Sequence, residues 1–277
     1  MNINVKNINR KKLIIISLII LIPLGILSIF GTVYSYNYLT SKKVEIFNIA
    51  EIDFNSLDMK ETFYHYDELG YETLIGVDLS EHNREVDFSK LKEQNIRYAF
   101  LRIGWRGYYN PELHLDARFE EYYNGAKEAG IPVGIYFFSQ AINEDEAIEE
   151  ANFVLDNIKD KEIDLYIVYD CESIESKDAR TNDLTRSQAT NNARAFLSRI
   201  EEAGYSPMIY TNMDWVKHYY EFQILADYPV WFAQYSRKPQ FKRKHIIWQY
   251  AAEMKIDGIS GKDGVDLNIM ILKEDTN

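Results

Sequence analysis

The sequence predicts an α/β barrel related to the TIM barrel, built from eight strands with helices only in its earlier part and preceded by a transmembrane helix. Three observations carry that reading. From Leu74 onward, strand-like apolar runs alternate with amphipathic, helix-like ones, the pattern of a parallel sheet. The pentapeptide Gly76-Val77-Asp78-Leu79-Ser80 returns almost unchanged as Gly264-Val265-Asp266-Leu267-Asn268, as expected if first and last strands pair to close the sheet. Ahead of both lies an uncharged run from Leu13 to Val33.

That run, as a helix rising about 1.5 Å per residue, reaches roughly the 30 Å of a bilayer core. It has no polar face and therefore no side to turn toward water. Arg10-Lys11-Lys12 stand before it, which keeps the N-terminus cytoplasmic and puts the rest of the chain outside the cell. A signal peptide would show a shorter apolar stretch and a small-x-small site, and Val33-Tyr34-Ser35 is a poor one. A retained anchor is expected, with secretion after cleavage as the alternative. The organisation is then a basic tail (1–12), the anchor (13–33), an extracellular spacer (34–73) and one large domain (74–273).

Within that domain the expected strands are Leu74 to Leu79, Tyr98 to Ile103, Val133 to Phe138, Ile163 to Tyr169, Met208 to Thr211, Val230 to Ala233, Ile246 to Gln249 and Val265 to Leu267. Helices are expected at Phe88 to Gln94, Arg118 to Ala129, Glu144 to Ile158, Thr190 to Ala203 and Met213 to Phe222, with Gly130 and Gly204 as C-caps. The 277 residues are 46% hydrophobic, enough for one sizeable core. Residues 1–43 hold six Lys/Arg and no acid, leaving 25 basic against 43 acidic residues in the remainder. So acidic a domain disfavours nucleic acid. The single cysteine, Cys171, forms no internal disulfide, and no Cys/His spacing suits a structural zinc.

The chemistry concentrates in Tyr169-Asp170-Cys171-Glu172, at the end of an apolar strand. Residues two apart on a strand share a face. Asp170 and Glu172 therefore enter one cavity at the barrel's C-terminal mouth, where catalytic groups of such barrels sit, and Cys171 turns away into packing. Paired acids in a cleft suit glycoside cleavage. If the two pentapeptides pair, Asp78 and Asp266 reach the same mouth.

In order along the chain, Gly76-Val77-Asp78-Leu79-Ser80, Phe100-Leu101-Arg102-Ile103-Gly104, Ala129 through Phe138 (AGIPVGIYFF), Asp170-Cys171-Glu172, Ile209-Tyr210-Thr211-Asn212, Trp231-Phe232-Ala233-Gln234-Tyr235, Trp248-Gln249-Tyr250 and Gly264-Val265-Asp266-Leu267-Asn268 resemble the motifs of the glycoside hydrolase family 25 lysozymes, the Chalaropsis-type muramidases, over about residues 74 to 272. The resemblance implies a modified barrel of about five βα units completed by three further strands. It also implies hydrolysis of the β-1,4 bond between N-acetylmuramic acid and N-acetylglucosamine in peptidoglycan. By motif, Glu172 matches the general acid, and Asp170, Asp78 and Asp266 match the other acidic positions. Where many members carry Tyr-His-Phe, this chain has Tyr136-Phe137-Phe138, which removes any histidine contact to sugar at that position. No cofactor or metal is expected. The expected partners are peptidoglycan strands and, through the N-terminal helix, a membrane; the sequence names no protein partner.

Glu172 fits the protonated acid, its pKa raised by burial and by the neighbouring Asp170. The resemblance favours participation of the substrate's own acetamide, while Asp170 as direct nucleophile and an inverting route through activated water stay open. Tyr136, Tyr210, Trp248, Tyr250, Tyr235 and Arg102 are candidates for substrate contact, with pairing to an acid in the mouth as the structural alternative for Arg102, and Trp231 is assigned to packing. Glu144-Asp145-Glu146 reads as a helix N-terminus, and Asp87, Asp116 and Asp183 as solvated or capping residues. The five histidines show no metal spacing, and Cys171 lacks an adjacent base. Two other readings compete: a chitinase or endo-N-acetylglucosaminidase, and a catalytically silent membrane-anchored protein that binds the wall.

Overall fold

Three short strands open the part of the chain that the computed structural model describes, residues 44–274: β1 (Val44–Ile46), β2 (Leu57–Lys60) and β3 (Phe63–Tyr66), the last two paired as an antiparallel hairpin. The run 13–33 lies outside these residues. No helix among the described residues is long and apolar enough to cross a membrane.

The barrel follows. Its strands are β4 (Tyr71–Leu79), β5 (Ile96–Arg106), β7 (Val133–Phe138), β8 (Ile167–Asp170), β9 (Pro207–Asn212), β10 (Val230–Ala233), β11 (Ile247–Met254) and β12 (Val265–Glu274), with the short β6 (Leu113–Leu115) folded back on the end of β5. β4, β5, β7, β8, β9, β10 and β11 run parallel to one another in that order around the ring. β12 runs antiparallel to both β11 and β4 and closes the ring. Helices α1 (Phe88–Glu93), α2 (Phe119–Glu128), α3 (Glu144–Asn157), α4 (Arg186–Glu202) and α5 (Met213–His218) follow the first five barrel strands, and none follows the last three. Five βα units plus three strands is the expected architecture.

Local chemistry sets the boundaries. Asp87, Asn143, Thr185 and Asn212 cap α1, α3, α4 and α5 through their side-chain oxygens. The Thr185–Gln188 capping box starts α4 at Arg186, one turn before the Thr190 expected from apolar periodicity. Gly130 and Gly204 take positive φ after α2 and α4, as C-caps should. β8 begins only at Ile167, because Asp164 before it accepts the Val133 N–H with its side chain at 2.8 Å and so takes a ladder position. β12 runs well past Leu267, since the whole of β4 from Tyr71 is available to pair with it.

Outward-facing residues such as Val77, Leu101, Ile135, Ile167 and Ile209 are buried in the core shared with the helices. β10 to β12 have no helix to cover them. There the stretch expected to be a spacer supplies the cover from Ile46 onward: Tyr64 stacks on Trp248 at 5.5 Å and meets Tyr250 edge-on at 4.9 Å, and Phe54 meets Trp248 edge-on. Residues 46–73 are thus part of the fold, with Ile49, Leu57, Tyr64 and Tyr66 buried. Leaving the outer face of β11 bare would expose large apolar rings to water, which is the physical reason for the cover.

Candidate active site

The barrel interior is filled by aromatic rings under a layer of acids. Trp231 of β10 stands in the middle, 4.8 Å from the Phe100 ring, 5.0 Å from Tyr210 and 6.2 Å from Tyr136 between centroids. Two glycines make room: a Cβ at Gly76 would fall 2.2 Å from the Tyr98 ring, and one at Gly134 2.3 Å from Phe100.

Above that floor the structure brings together Asp78, Asp170, Glu172 and Asp266. β4 and β12 place Asp78 directly opposite Asp266. Because β12 is antiparallel, Asp266 at its start and Asp78 near the end of β4 meet at the same mouth. Asp170 ends β8, and Glu172 follows two residues later on the same side. Cys171 between them is buried in the outer core, as strand alternation requires.

Three side-chain amides hold these acids, and each amide is itself oriented by a donor at its oxygen. Asn212 accepts the Asp214 and Trp215 N–H groups as the cap of α5, which leaves its Nδ2 to donate to Glu172 at 3.2 Å. Asn268 accepts the Trp231 indole N–H at 2.8 Å and donates to Asp78 at 2.7 Å. Gln249 accepts the hydroxyls of Tyr210 and Tyr235, at 3.0 and 2.9 Å, and donates to Asp78 at 2.9 Å and Asp266 at 3.2 Å. An indole N–H and a backbone N–H can only donate, so the O/N orientation of Asn268 and Asn212 follows from their partners. Asp170 differs: its Oδ1 is buried without any hydrogen-bond partner.

Burial dominates the electrostatics. It raises the pKa of Asp78 to about 8, with the Asp266 charge adding to the rise and the amides of Asn268 and Gln249 opposing it. Asp170 is pushed well up by burial and then by the charges of Glu172 and Asp78, against the pull of Arg102. Glu172 is raised by burial and by the Asp266 charge despite the Asn212 hydrogen bond, and Asp266 by burial despite the Glu253 N–H. Gathered at one partly buried mouth, with Asp170 the most deeply buried, the four carboxyls favour retaining protons among them.

The predicted sugar-contacting residues divide by strand face. Tyr136, Tyr210 and Tyr235 belong to the mouth: Tyr136 is flanked by Arg102 and the charges of Asp78 and Asp170, and Tyr235 leaves its ring 57% exposed beside Gln249. Trp248 and Tyr250 do not. Alternation along β11 turns Gln249 inward and both rings outward, where the N-terminal hairpin buries them. Arg102 takes the structural role, pairing with acids, rather than a sugar-contacting one. β5 continues past it to Arg106, and it pairs with Asp116 at 2.8 Å and Glu81 at 3.1 Å while lying over the Trp105 ring, so it buttresses the wall of the mouth and reaches Asp170 only through its field. Asp116, expected to be solvated or capping, is buried as that partner and also accepts the Arg118 and Glu81 N–H groups. Phe137 packs among Phe153 and Phe196 on the helix side, so the departure at that position leaves the acids untouched. Gln249, Asn268 and Asn212 were not singled out from sequence. Their signal was available: Asn268 lies two residues from Asp266, and Gln249 is the polar residue between two aromatic ones on a strand.

The sequence profile of Glycosyl hydrolases family 25 matches residues 77–259. The chain belongs to that family. It is similar to the autolytic lysozyme of Clostridium acetobutylicum, at 24% identity over 192 residues covering 69% of this chain and 54% of that one. It is also similar to the D-alanyl-L-alanine endopeptidase of Streptococcus phage B30, at 29% over 158 residues covering 53% of this chain and 33% of that one. Among solved structures it resembles the spore cortex lytic enzyme SleM of Clostridium perfringens, with 27% identity and a TM-score of 0.61 over 71% of this chain and 67% of that one. This family 25 chain thus spans about half the length of the autolytic lysozyme and a third of the phage endopeptidase.

Proposed function

We propose that this family 25 protein is a lysozyme that cleaves the β-1,4 bond between N-acetylmuramic acid and N-acetylglucosamine in peptidoglycan. The observation that carries the reading is the pairing of Glu172, held by Asn212 with its pKa raised, with Asp170, whose buried oxygen lacks a partner. A raised carboxylic acid can protonate the glycosidic oxygen as the bond breaks. An unpartnered buried carboxyl oxygen suits an acceptor for the substrate's acetamide N–H, which would aim the acetamide oxygen at the anomeric carbon. That oxygen then closes on the carbon from the face opposite the leaving group, and water opens the cyclic intermediate with retention. Asp78 and Asp266, bridged by Gln249, keep the negative charge of the layer adjustable beneath the developing positive charge.

The name of the autolytic lysozyme and the family description support this reading. The phage relative's name denotes peptide-bond cleavage, but only a third of that chain is matched. In this site the one thiol, Cys171, is turned away from the acids. We place the enzyme outside the cell, tethered by the run 13–33 with its basic flank.

The test is reducing-end release from purified peptidoglycan by the detergent-solubilised full chain, with products identified by mass. New reducing muramic acid ends, absent with Glu172→Gln, are expected. Reducing glucosamine ends would instead indicate the N-acetylglucosaminidase, and no release by a folded protein would indicate a wall-binding protein. Resistance to alkaline carbonate extraction checks the tether, and a chain released by carbonate would refute it.

A further inference from the structure

The domain is acidic, yet Arg237, Lys238, Lys242, Arg243 and Lys244 fall within eight positions between β10 and β11, and no acid occurs from Tyr228 to Ala252. All five are exposed. Among the described residues none of the five is within ion-pair distance of a carboxylate, so their charges meet no local counter-charge. The turn is pinned from beneath by Phe241, buried against Phe222 and Phe232, and by His245, whose Nδ1 faces the Arg243 carbonyl at 2.9 Å. The cations are thus presented by a fixed turn.

Their place in the barrel gives the patch its meaning. The loop leaves β10 at the mouth and returns to the start of β11 at the opposite end, where Ile246 donates to the Val230 carbonyl. Lys242, Arg243 and Lys244 therefore lie on the face away from the acids. The folded unit begins on that same face: Ile49 donates to the His245 carbonyl at 2.9 Å, His245 N–H donates to the Asn48 side chain, and Phe47 donates to Ile271 near the end of β12. Lys273 lies there too, over the rings of Phe47 and Tyr71. Other parts of this face mix the two signs, as with Lys159 and Lys161 among Asp160, Glu162 and Asp164, or carry acids, as with Glu201, Glu202 and Asp227, whereas the β10–β11 loop holds cations and no acid.

From the end of the apolar run at Val33 to Ile46, the chain extends at most about 45 Å at roughly 3.3–3.6 Å per residue. This rests on the tether proposed above. On so short a tether, a cationic edge beside the residues where the folded unit begins is within reach of the lipid.

We infer that Lys242, Arg243, Lys244 and Lys273 dock the domain on anionic phospholipid headgroups, so that the catalytic mouth points away from the membrane and toward the wall. Clustered Lys and Arg beside a membrane segment are attracted to anionic lipid, and the attraction is screened within a Debye length, about 10 Å at 0.1 M salt. The acids at the far sides of the same face are repelled, which tilts the barrel about the docked edge.

The experiment uses the full chain reconstituted in phosphatidylcholine vesicles with and without about one-third phosphatidylglycerol. A membrane-impermeant amine-acylating reagent is applied, and modification is read by mass spectrometry at Lys242, Lys244 and Lys273, with Lys177 in the loop after β8 as reference. Several-fold slower acylation of the three edge lysines on the anionic vesicles is expected, reversed by 0.5 M salt, with Lys177 unchanged. In the variant Lys242→Gln/Arg243→Gln/Lys244→Gln, Lys273 should lose its protection while hydrolysis of soluble glycan fragments is retained. Equal acylation on both vesicles, or protection of Lys177 as strong as that of the edge, overturns the inference. So does protection by soluble inorganic polyphosphate with none from vesicles, which would assign the patch to a wall polyanion. Carbonate extraction of the same vesicles separates failure of docking from failure of the tether.

Discussion

Replacing Asp78 by Asn removes one ionisable group from the acid layer with little change of shape. In the structure Asp78 Oδ2 accepts from both Gln249 and Asn268. The amide oxygen of the substituted side chain can take that place and keep both bonds. Burial and Asp266 raise the Asp78 pKa from 3.8 to about 8. Above about pH 4 the unfolded chain has lost a proton that the folded chain retains. The folded state therefore loses stability as pH rises through the window from about 4 to 8, by about 1.4 kcal/mol per unit. Below pH 4 both states are protonated and the penalty vanishes. By pH 7 it has accumulated to on the order of 4 kcal/mol, an upper bound because Asp266 shares the titration. Asp78→Asn should thus be more stable than the parent by about 2–4 kcal/mol at pH 7 and nearly equal to it at pH 4, while losing activity. Urea unfolding followed by tryptophan fluorescence at pH 4, 5.5 and 7 measures this directly. A difference that does not change with pH, or a variant less stable at every pH, would show that Asp78 is ionised in the folded protein and refute the reasoning.

Other consequences of the structure are separable by assay. Glu172→Gln should lower kcat by roughly 10²–10⁴ with glycan binding retained, and the parent's activity should fall on the alkaline side as the raised Glu172 proton is lost; a kcat near the parent's would remove Glu172 from the acid role. Gln249→Leu leaves the Tyr210 and Tyr235 hydroxyls without their acceptor and Asp78 and Asp266 without a shared donor. It should cost about 1–3 kcal/mol in denaturant unfolding and move the pH–activity profile, whereas lost stability with an unmoved profile would confine Gln249 to packing. Trp248→Ala should cost about 3–5 kcal/mol by emptying the stack with Tyr64, yet leave KM for soluble glycan unchanged; a raised KM in the folded variant would return Trp248 to the sugar site.

Period and punctuation made most of the architecture legible. The expected strand Val133–Phe138 and strand Val230–Ala233 form with those bounds, and the repeated pentapeptides pair antiparallel, Gly76 with Asn268, Val77 with Leu267 and, at their centres, Asp78 with Asp266. The four acids were readable because carboxylates at the ends of apolar strands have few other reasons to be there. What strand alternation could have corrected is the choice within Trp248-Gln249-Tyr250: aromatic residues suggest sugar, but three consecutive strand residues cannot all face one cavity.

By itself, then, the sequence determined the ring of eight strands, the mouth at which the acids gather and the identity of those acids, since each follows from local periodicity and a repeated motif. Only the tertiary structure decided which polar groups hold them. Asn212, Asn268 and Gln249 act on the acids because a helix cap, an indole N–H and two phenols from other strands fix their amide oxygens. It also decided that residues 46–73 cover the bare outer face of β11, that Arg102 serves Asp116 and Glu81, and that a basic loop shares its edge of the barrel with the entering chain. These are contacts between residues far apart in the chain, and closure of the ring, rather than any local pattern, brings them within reach.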